Sequence, residues 1–325
     1  MPRLAFYLLC RRYNPGHGGA TQSRESTSAT DSPARVDQRL GKWPVRDRRG
    51  LRVRLAPVVD GSGGRRPPPM LPDQWLAGVI DRHTSAFSRP EFLKAVRALS
   101  ARYVETRARL PSRSPLDTAG KRAAFAGFYA PLHYLTIESI IRALGPVKSL
   151  SRVVDLGCGT GVAAAAWASC LPKGPVLVGV DQNAWALDEM RWNCRALGLR
   201  CRTQRTSMLS WLQAELSGGS GAPLRESGIV CAWSLNELST DDRGRTLDNL
   251  LAAHERQASV LIVEPLASSA VPWWNDWRER IVGRGGRVDE WRLPLHLPSS
   301  LSEMDEAAGF RREALTARSF WLGGQ

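Results

Sequence analysis

The chain has few cysteines, and their spacing suits neither cross-links nor metal. The six, at positions 10, 158, 170, 194, 201 and 231, include no C-x-x-C pair, and several fall inside apolar strand or helix patterns. That excludes a disulfide framework and a zinc site, and predicts small buried residues kept reduced. No apolar run approaches the roughly 18 residues needed to span a membrane. The opening Leu4 to Cys10 is too short for a signal-peptide core, lacks a cleavage site and is followed by arginines, so a cytoplasmic protein is expected.

Acid is scarce in one segment. Residues 1–69 hold 14 Lys/Arg against 5 Asp/Glu, whereas residues 70–325 hold 31 against 26. The formal net charge of +14 is therefore concentrated ahead of residue 70. Residues 13–69 also lack a sustained apolar period and are rich in Gly, Ser, Pro and Arg. Such a segment buries too little apolar surface to offset its ordering entropy. Disorder is predicted there, apart from a short extended piece at Leu51 to Val59. Met70 makes a natural start to the folded part, with residues 1–69 read either as a basic arm suited to RNA or as an upstream reading frame.

Two nucleotide motifs are missing as well. The dinucleotide fingerprint G-x-G-x-x-G fails, because the sixth position counted from Gly157 is Val162. Asn/Asp-Pro-Pro-Tyr, which orients an exocyclic amine for methylation of bases, is absent.

What the chain does contain is organised around residues 153–161, Val-Val-Asp-Leu-Gly-Cys-Gly-Thr-Gly, and around Val178-Gly179-Val180-Asp181. The first reads as a buried strand, a glycine turn and an Ala-rich helix. Glycines at 157, 159 and 161 let the backbone turn tightly and approach a ligand. The helix that follows points free N–H groups at the same spot. Asp181 ends the next strand, 20 residues after Gly161, where a carboxylate can accept both hydroxyls of a ribose. Asp155 stands two residues ahead of the first glycine; an acid there would repel a pyrophosphate but suits a cationic amino-acid moiety. The pattern D-x-G-x-G-x-G resembles motif I of class I S-adenosylmethionine methyltransferases.

Around this centre, strands and helices alternate from residue 152 to residue 264, which predicts a parallel sheet with helices on both faces. Ligands bind beyond the carboxyl ends of such strands. Asp155, Gly157, Gly159, Gly161, Asp181, Gln182, Ser207, Met208 and Ser234 are the expected cofactor residues, with Gln182 or Asn183 flanking the adenine and Met208 as an apolar wall. Asn236 and Glu237 at the exit of the fourth strand, and His133 in an aromatic helix, are candidate catalytic residues; a satisfied core histidine is the other reading of His133. No metal is expected. Methyl transfer from a sulfonium is an in-line displacement that depends mostly on positioning, so a clear cofactor cradle with few obvious catalytic groups is consistent.

Helical patterns run from Leu71 to Leu144. Ser88 is the expected cap of the second helix and Thr118 or Asp117 of the third, which runs from Gly120 with a break near Pro131. Trp273, Trp274 and Trp277 are placed on a short lid helix, half-buried or stacking a base or an aromatic acceptor. A Pro/Leu stretch to Pro298, a helix capped by Ser300 or Ser302, and a last strand from Arg318 to Leu322 complete the chain.

Several pieces resemble one family together. Residues 123–134 (Ala-Ala-Phe-Ala-Gly-Phe-Tyr-Ala-Pro-Leu-His-Tyr), the glycine motif, Ser234-Leu235-Asn236-Glu237-Leu238, Val263-Glu264-Pro265 and Trp277-Arg278 with Arg280 are similar to landmarks of the bacterial branch of the mitochondrial small-ribosomal-subunit methyltransferase-like family. The resemblance spans about residues 90–298. It implies a Rossmann-like class I methyltransferase sheet with an antiparallel last strand, S-adenosyl-L-methionine as cofactor, and a link to the small ribosomal subunit or its RNA. Family members commonly carry cluster-binding cysteines after the arginine helix, and here none follows Cys231, so the resemblance brings no metal site with it. The expected organisation is a disordered basic leader (1–69), a helical cap (70–148) and an S-adenosylmethionine-binding methyltransferase domain (149–325). The acceptor is a small molecule or ribosomal RNA, and a non-catalytic ribosome assembly factor that binds the cofactor is the alternative.

Overall fold

The computed structural model describes residues 52–55, 70–105, 116, 118–145, 149–218 and 223–323. Expected disorder in the leader falls, outside Arg52–Leu55, beyond the described residues.

Eight strands form one sheet: β1 (Arg52–Leu55), β2 (Arg152–Leu156), β3 (Val176–Asp181), β4 (Cys201–Arg205), β5 (Ser227–Ala232), β6 (Ser259–Glu264), β7 (Arg287–Pro294) and β8 (Ala314–Leu322). Their order is β1-β7-β8-β6-β5-β2-β3-β4. β8 runs antiparallel to both neighbours and every other pairing is parallel. This is the Rossmann-like arrangement expected, with β1 added on one edge. β3 and β4 leave β2 on one side, and β5 and β6 on the other. That reversal beside β2 is where an open parallel sheet leaves a crevice for a ligand.

The helices are α1 (Asp73–Thr84), α2 (Arg89–Glu105), α3 (Ala119–Ala124), α4 (Ala130–Leu144), α5 (Val162–Ser169), α6 (Ala184–Ala196), α7 (Met208–Leu216), α8 (Thr240–Glu255), α9 (Trp274–Val282) and α10 (Ser299–Ala307). Thr118 caps α3 by accepting from the Lys121 N–H, and the Ser88 N–H and hydroxyl both reach the Glu91 carboxylate, half of a capping box. The break expected near Pro131 is a π-helical segment, Phe125–Tyr129, joining α3 to α4. Pro131 cannot donate and its ring would crowd the preceding turn of a regular helix. Widening the turn, so that the Ala130 N–H reaches the Phe125 carbonyl, accommodates it. α4 is buried on every side from Ala130 to Ile141, and it packs closely against α5, which is mostly alanine. Cap and sheet thus share one apolar core, from Trp75, Phe92 and Phe128 through Trp167 to Val153, Leu261 and Trp291.

Three expectations at the C-terminal end need correction. The last strand begins at Ala314, not Arg318. β7 replaces part of the Pro/Leu stretch: its inward residues are Asp289, Trp291 and Leu293, and the buried aspartate, held by Arg287 Nε at 2.6 Å, breaks the apolar alternation that marks a strand. α10 starts at Ser299 behind Pro298, with no side-chain cap. Among the described residues, no helix is long and apolar enough to cross a membrane.

Candidate cofactor site

The glycine turn closes directly on β3. The N–H groups of Gly157 and Cys158 both donate to the Val180 carbonyl, at 2.8 and 3.1 Å. Gly157, Gly159 and Gly161 all hold left-handed backbone, with φ of 70, 49 and 75°. At Gly157 a Cβ would fall 2.5 Å from that of Ser234, with the Met208 methyl 3.2 Å away. At Gly161 it would strike Met190 Cγ at 2.3 Å. Only glycine satisfies both the angle and the contact. Met190, fully buried, also lies against Gly179 of β3. α6 is thereby locked against the turn by one side chain.

Asp181 stands at the tip of β3, 8% exposed. Its Oδ2 accepts from the Gly159 N–H at 3.0 Å and its Oδ1 from the Asn183 N–H at 2.8 Å. Burial raises its pKa against the pull of these backbone donors. Asp155, almost fully buried, accepts from the Ala164 N–H at 3.1 Å. It therefore serves the first turn of α5 from beneath, and burial pushes its pKa up to about 8. Ser234 donates to the Leu156 carbonyl at 2.9 Å, and Met208, also buried, lies over Gly157. The structure brings Asp155, Asp181, Met208 and Ser234 together around the three glycines. Gln182 is exposed, and its carbonyl accepts from Arg205 Nε at 3.2 Å. Ser207 caps α7, accepting from the Ser210 N–H at 3.0 Å and donating to the Ser210 hydroxyl at 2.7 Å. Asn183 caps α6.

The candidate catalytic residues separate into two places. His133 is buried against Trp233, with ring centroids 4.0 Å apart, and meets Phe125 edge-on at 6.0 Å. Burial first, and the Arg312 charge second, lower its pKa to about 3, so the ring is neutral at physiological pH. Asn236 spans two elements: its Nδ2 donates to Glu264 at 3.2 Å and its Oδ1 accepts from Trp273 Nε1 at 2.8 Å. Glu237 is half-buried on the same short turn, Leu235–Glu237, its N–H donating to the Ser234 carbonyl.

The tryptophans form no lid. Trp273, Trp274 and Trp277 are 8%, 3% and 5% exposed, and Trp274 stacks on Phe320 of β8 with centroids 3.7 Å apart. They pack α9 onto the sheet, which corrects the half-buried placement.

Four further residues of the site were not among those expected from the sequence. Trp233 holds left-handed backbone, φ 54°, which is rare for a bulky side chain. Phe125 brings its ring to 4.0 Å from the Cβ position of Gly159. Asn193 donates to the Thr160 carbonyl and accepts from Trp75 Nε1, tying α1 and α6 to the turn. Glu264 is fully buried at the end of β6, where burial raises its pKa to about 8. Of these, Phe125 and Glu264 sat in quoted motifs, and none follows a spacing rule.

Residues 140–216 match the family of the methyltransferase small domain. That segment contains the whole glycine turn, Asp155 and Asp181. The chain is a methyltransferase that uses S-adenosylmethionine. No curated protein matches it. Similar solved structures include the precorrin-6y C5,15-methyltransferase of Geobacter metallireducens, at 9% identity over 58% of this chain and 86% of that one, TM-score 0.39. A SAM-dependent methyltransferase from Aquifex aeolicus is 14% identical over 59% of this chain and 93% of that one, TM-score 0.38. A third, from Leishmania major, is 12% identical over 71% and 82%, TM-score 0.40.

The site's own residues fit the cofactor. Bare backbone at Gly159, whose Cβ position has only the Phe125 ring at 4.0 Å, leaves an open face, Asp181 presents a carboxylate at the strand tip, and Asp155 lies under the turn. These residues would hold the ribose and the amino-acid end, and the bound cofactor would supply an electrophilic methyl on sulfur. Among the described residues, no group of three or more His, Cys, Asp or Glu could hold a metal ion.

Proposed function

We propose that this methyltransferase acts on RNA. The observation that carries the reading is a cationic edge running to the cofactor turn. Lys173, Arg191, Arg195, Arg200, Arg202 and Arg205 are all exposed on or beside edge strand β4. Between residues 171 and 218 the one exposed acid is Asp188, and it is paired with Arg191. Arg191 Nε donates to Thr203 at 3.1 Å, fastening the α6 cations to the strand. Arg200 reaches the Gly174 carbonyl beside Lys173 at one end, and Arg205 reaches the Gln182 carbonyl next to Asp181 at the other. From Arg200 to Arg205 the strand extends roughly 17 Å. Charge alone would also serve to block strand addition at an edge; continuity with the Asp181 loop favours a polyanion led to the methyl donor.

The burial of the three tryptophans removes the stacking surface expected there for a base or an aromatic acceptor alike. Resemblance to the small-ribosomal-subunit family supports ribosomal RNA as the acceptor. A second reading, an assembly factor that binds the cofactor without transferring its methyl, is favoured by Asn236, whose amide is engaged at both ends.

The test is transfer of labelled methyl to small-subunit ribosomal RNA, with RNA retention measured across salt. Arg195→Glu with Arg202→Glu should lose retention and transfer while keeping S-adenosylmethionine binding. Unchanged retention would refute the RNA reading, and retention without transfer would leave the assembly factor.

A further inference from the structure

Beside the cofactor turn, on the other flank of α6 from the arginines, lies a cavity of about 480 Å³ between the end of α1, the start of α3 and the first two turns of α6. Its walls differ from the apolar seams around it. Glu189, buried, accepts from Arg82 Nη2 at 3.0 Å and Nε at 3.3 Å, and from His83 Nε2 at 3.1 Å. That carboxylate is therefore matched within the pocket. Arg122 of α3 also lines it and makes no ion pair among the described residues, which leaves one cation in excess. Phe87 and Trp185 supply two half-buried aromatic rings. Neither ring touches the other, nor any other aromatic ring among the described residues.

The pocket adjoins both walls of the cofactor site. Trp185 donates its N–H to Asn183, whose own N–H binds Asp181. Ala123 lines the pocket two residues before Phe125, the ring that faces Gly159. Two separated aromatic faces, one surplus arginine and a volume within the ordinary range for small-molecule sites describe a site for a flat ring bearing an anionic group.

We propose that this pocket seats a single unpaired nucleotide, its base against Trp185 or Phe87 and its phosphate on Arg122. Stacking on aromatic side chains is how splayed-out bases are commonly held. The inference rests on the RNA reading for its biological sense, since the cationic edge would deliver a strand to the same end of α6. Its test is separable from that reading.

Binding of the four nucleoside monophosphates to the full chain is measured with S-adenosylmethionine at saturation. At least one should bind, and Trp185→Ala should weaken it about tenfold or more, in the range of base–aromatic stacking. Arg122→Glu should weaken it further, with Arg122→Lys recovering part of the loss. Retained S-adenosylmethionine affinity certifies that each variant is folded, and Trp185→Phe, which keeps a ring, should retain most of the nucleotide affinity. No binding of any monophosphate to the saturated protein would overturn the proposal. So would competition of nucleotide and S-adenosylmethionine for one site, because the cavity would then be the cofactor's own adenosine end. Failure of the RNA reading shows differently: charge reversal on the β4 edge would leave RNA retention unchanged, whatever the monophosphates do.

Discussion

His133 lies flat against Trp233, planes 18° from parallel and centroids 4.0 Å apart. The histidine belongs to α4 and the tryptophan to the exit of β5, so this contact fastens the cap to the loop carrying Ser234. Trp233 makes it from a backbone with φ of 54°, supported by its N–H on the Val263 carbonyl at 2.9 Å. The ring contributes burial while the backbone carries strain.

Two substitutions separate these contributions. Trp233→Ala should cost about 3–5 kcal/mol through lost burial and the cavity left behind. Trp233→Gly loses the same ring but relieves the left-handed strain, so it should be more stable than the alanine variant by about 1 kcal/mol. Urea denaturation of both variants measures the difference. Equal midpoints would mean that the backbone angle is unstrained.

Gly157→Ala should damage the cofactor site more than the fold. The new Cβ meets Ser234 and the Met208 methyl in a backbone region that L-residues avoid. Shifting the turn to relieve the clash should weaken S-adenosylmethionine binding about tenfold or more, the equivalent of about 1.4 kcal/mol. Gly174→Ala, with nothing within 4 Å, should bind as the native chain does. Calorimetry on the two variants checks the contrast.

Stability without cofactor should fall as pH rises through neutrality. Burial raises the Asp155 carboxyl from 3.8 to about 8 and the Glu264 carboxyl from 4.5 to about 8. Both are easier to keep protonated in the folded chain than in the unfolded one. Their stabilisation is fully present below about pH 4 and is lost as pH climbs toward 8. Asp155→Asn and Glu264→Gln keep a neutral side chain of the same shape, so each should flatten the decline between pH 5 and 8. A denaturation midpoint in those variants that still falls as steeply would assign the decline to other groups.

The central sheet and its glycine turn were legible because local chemistry dictates them. A buried strand, glycines at 157, 159 and 161, and an acid at the next strand tip can do little else. The N-terminal helices were legible from their caps, Ser88 and Thr118. β7 was not, because Asp289 occupies an inward position that periodicity reserves for an apolar residue. The tryptophans of α9 misled for a related reason: their spacing is the same for a lid and for a core, and only the stacking of Trp274 on Phe320 distinguishes them. Trp233, Asn193 and Met190 act through contacts between elements distant in sequence, which no spacing in a single chain encodes. The cationic edge was hidden in the same way, since its six cations are interspersed with acids that folding buries or pairs.

The most direct measurement is a calorimetric titration of S-adenosylmethionine into the full chain and into Asp181→Ala. One site of micromolar affinity is expected in the native chain and its loss in the variant, with both proteins equally folded by circular dichroism. No binding by a well-folded native chain, or undiminished binding by Asp181→Ala, would contradict it.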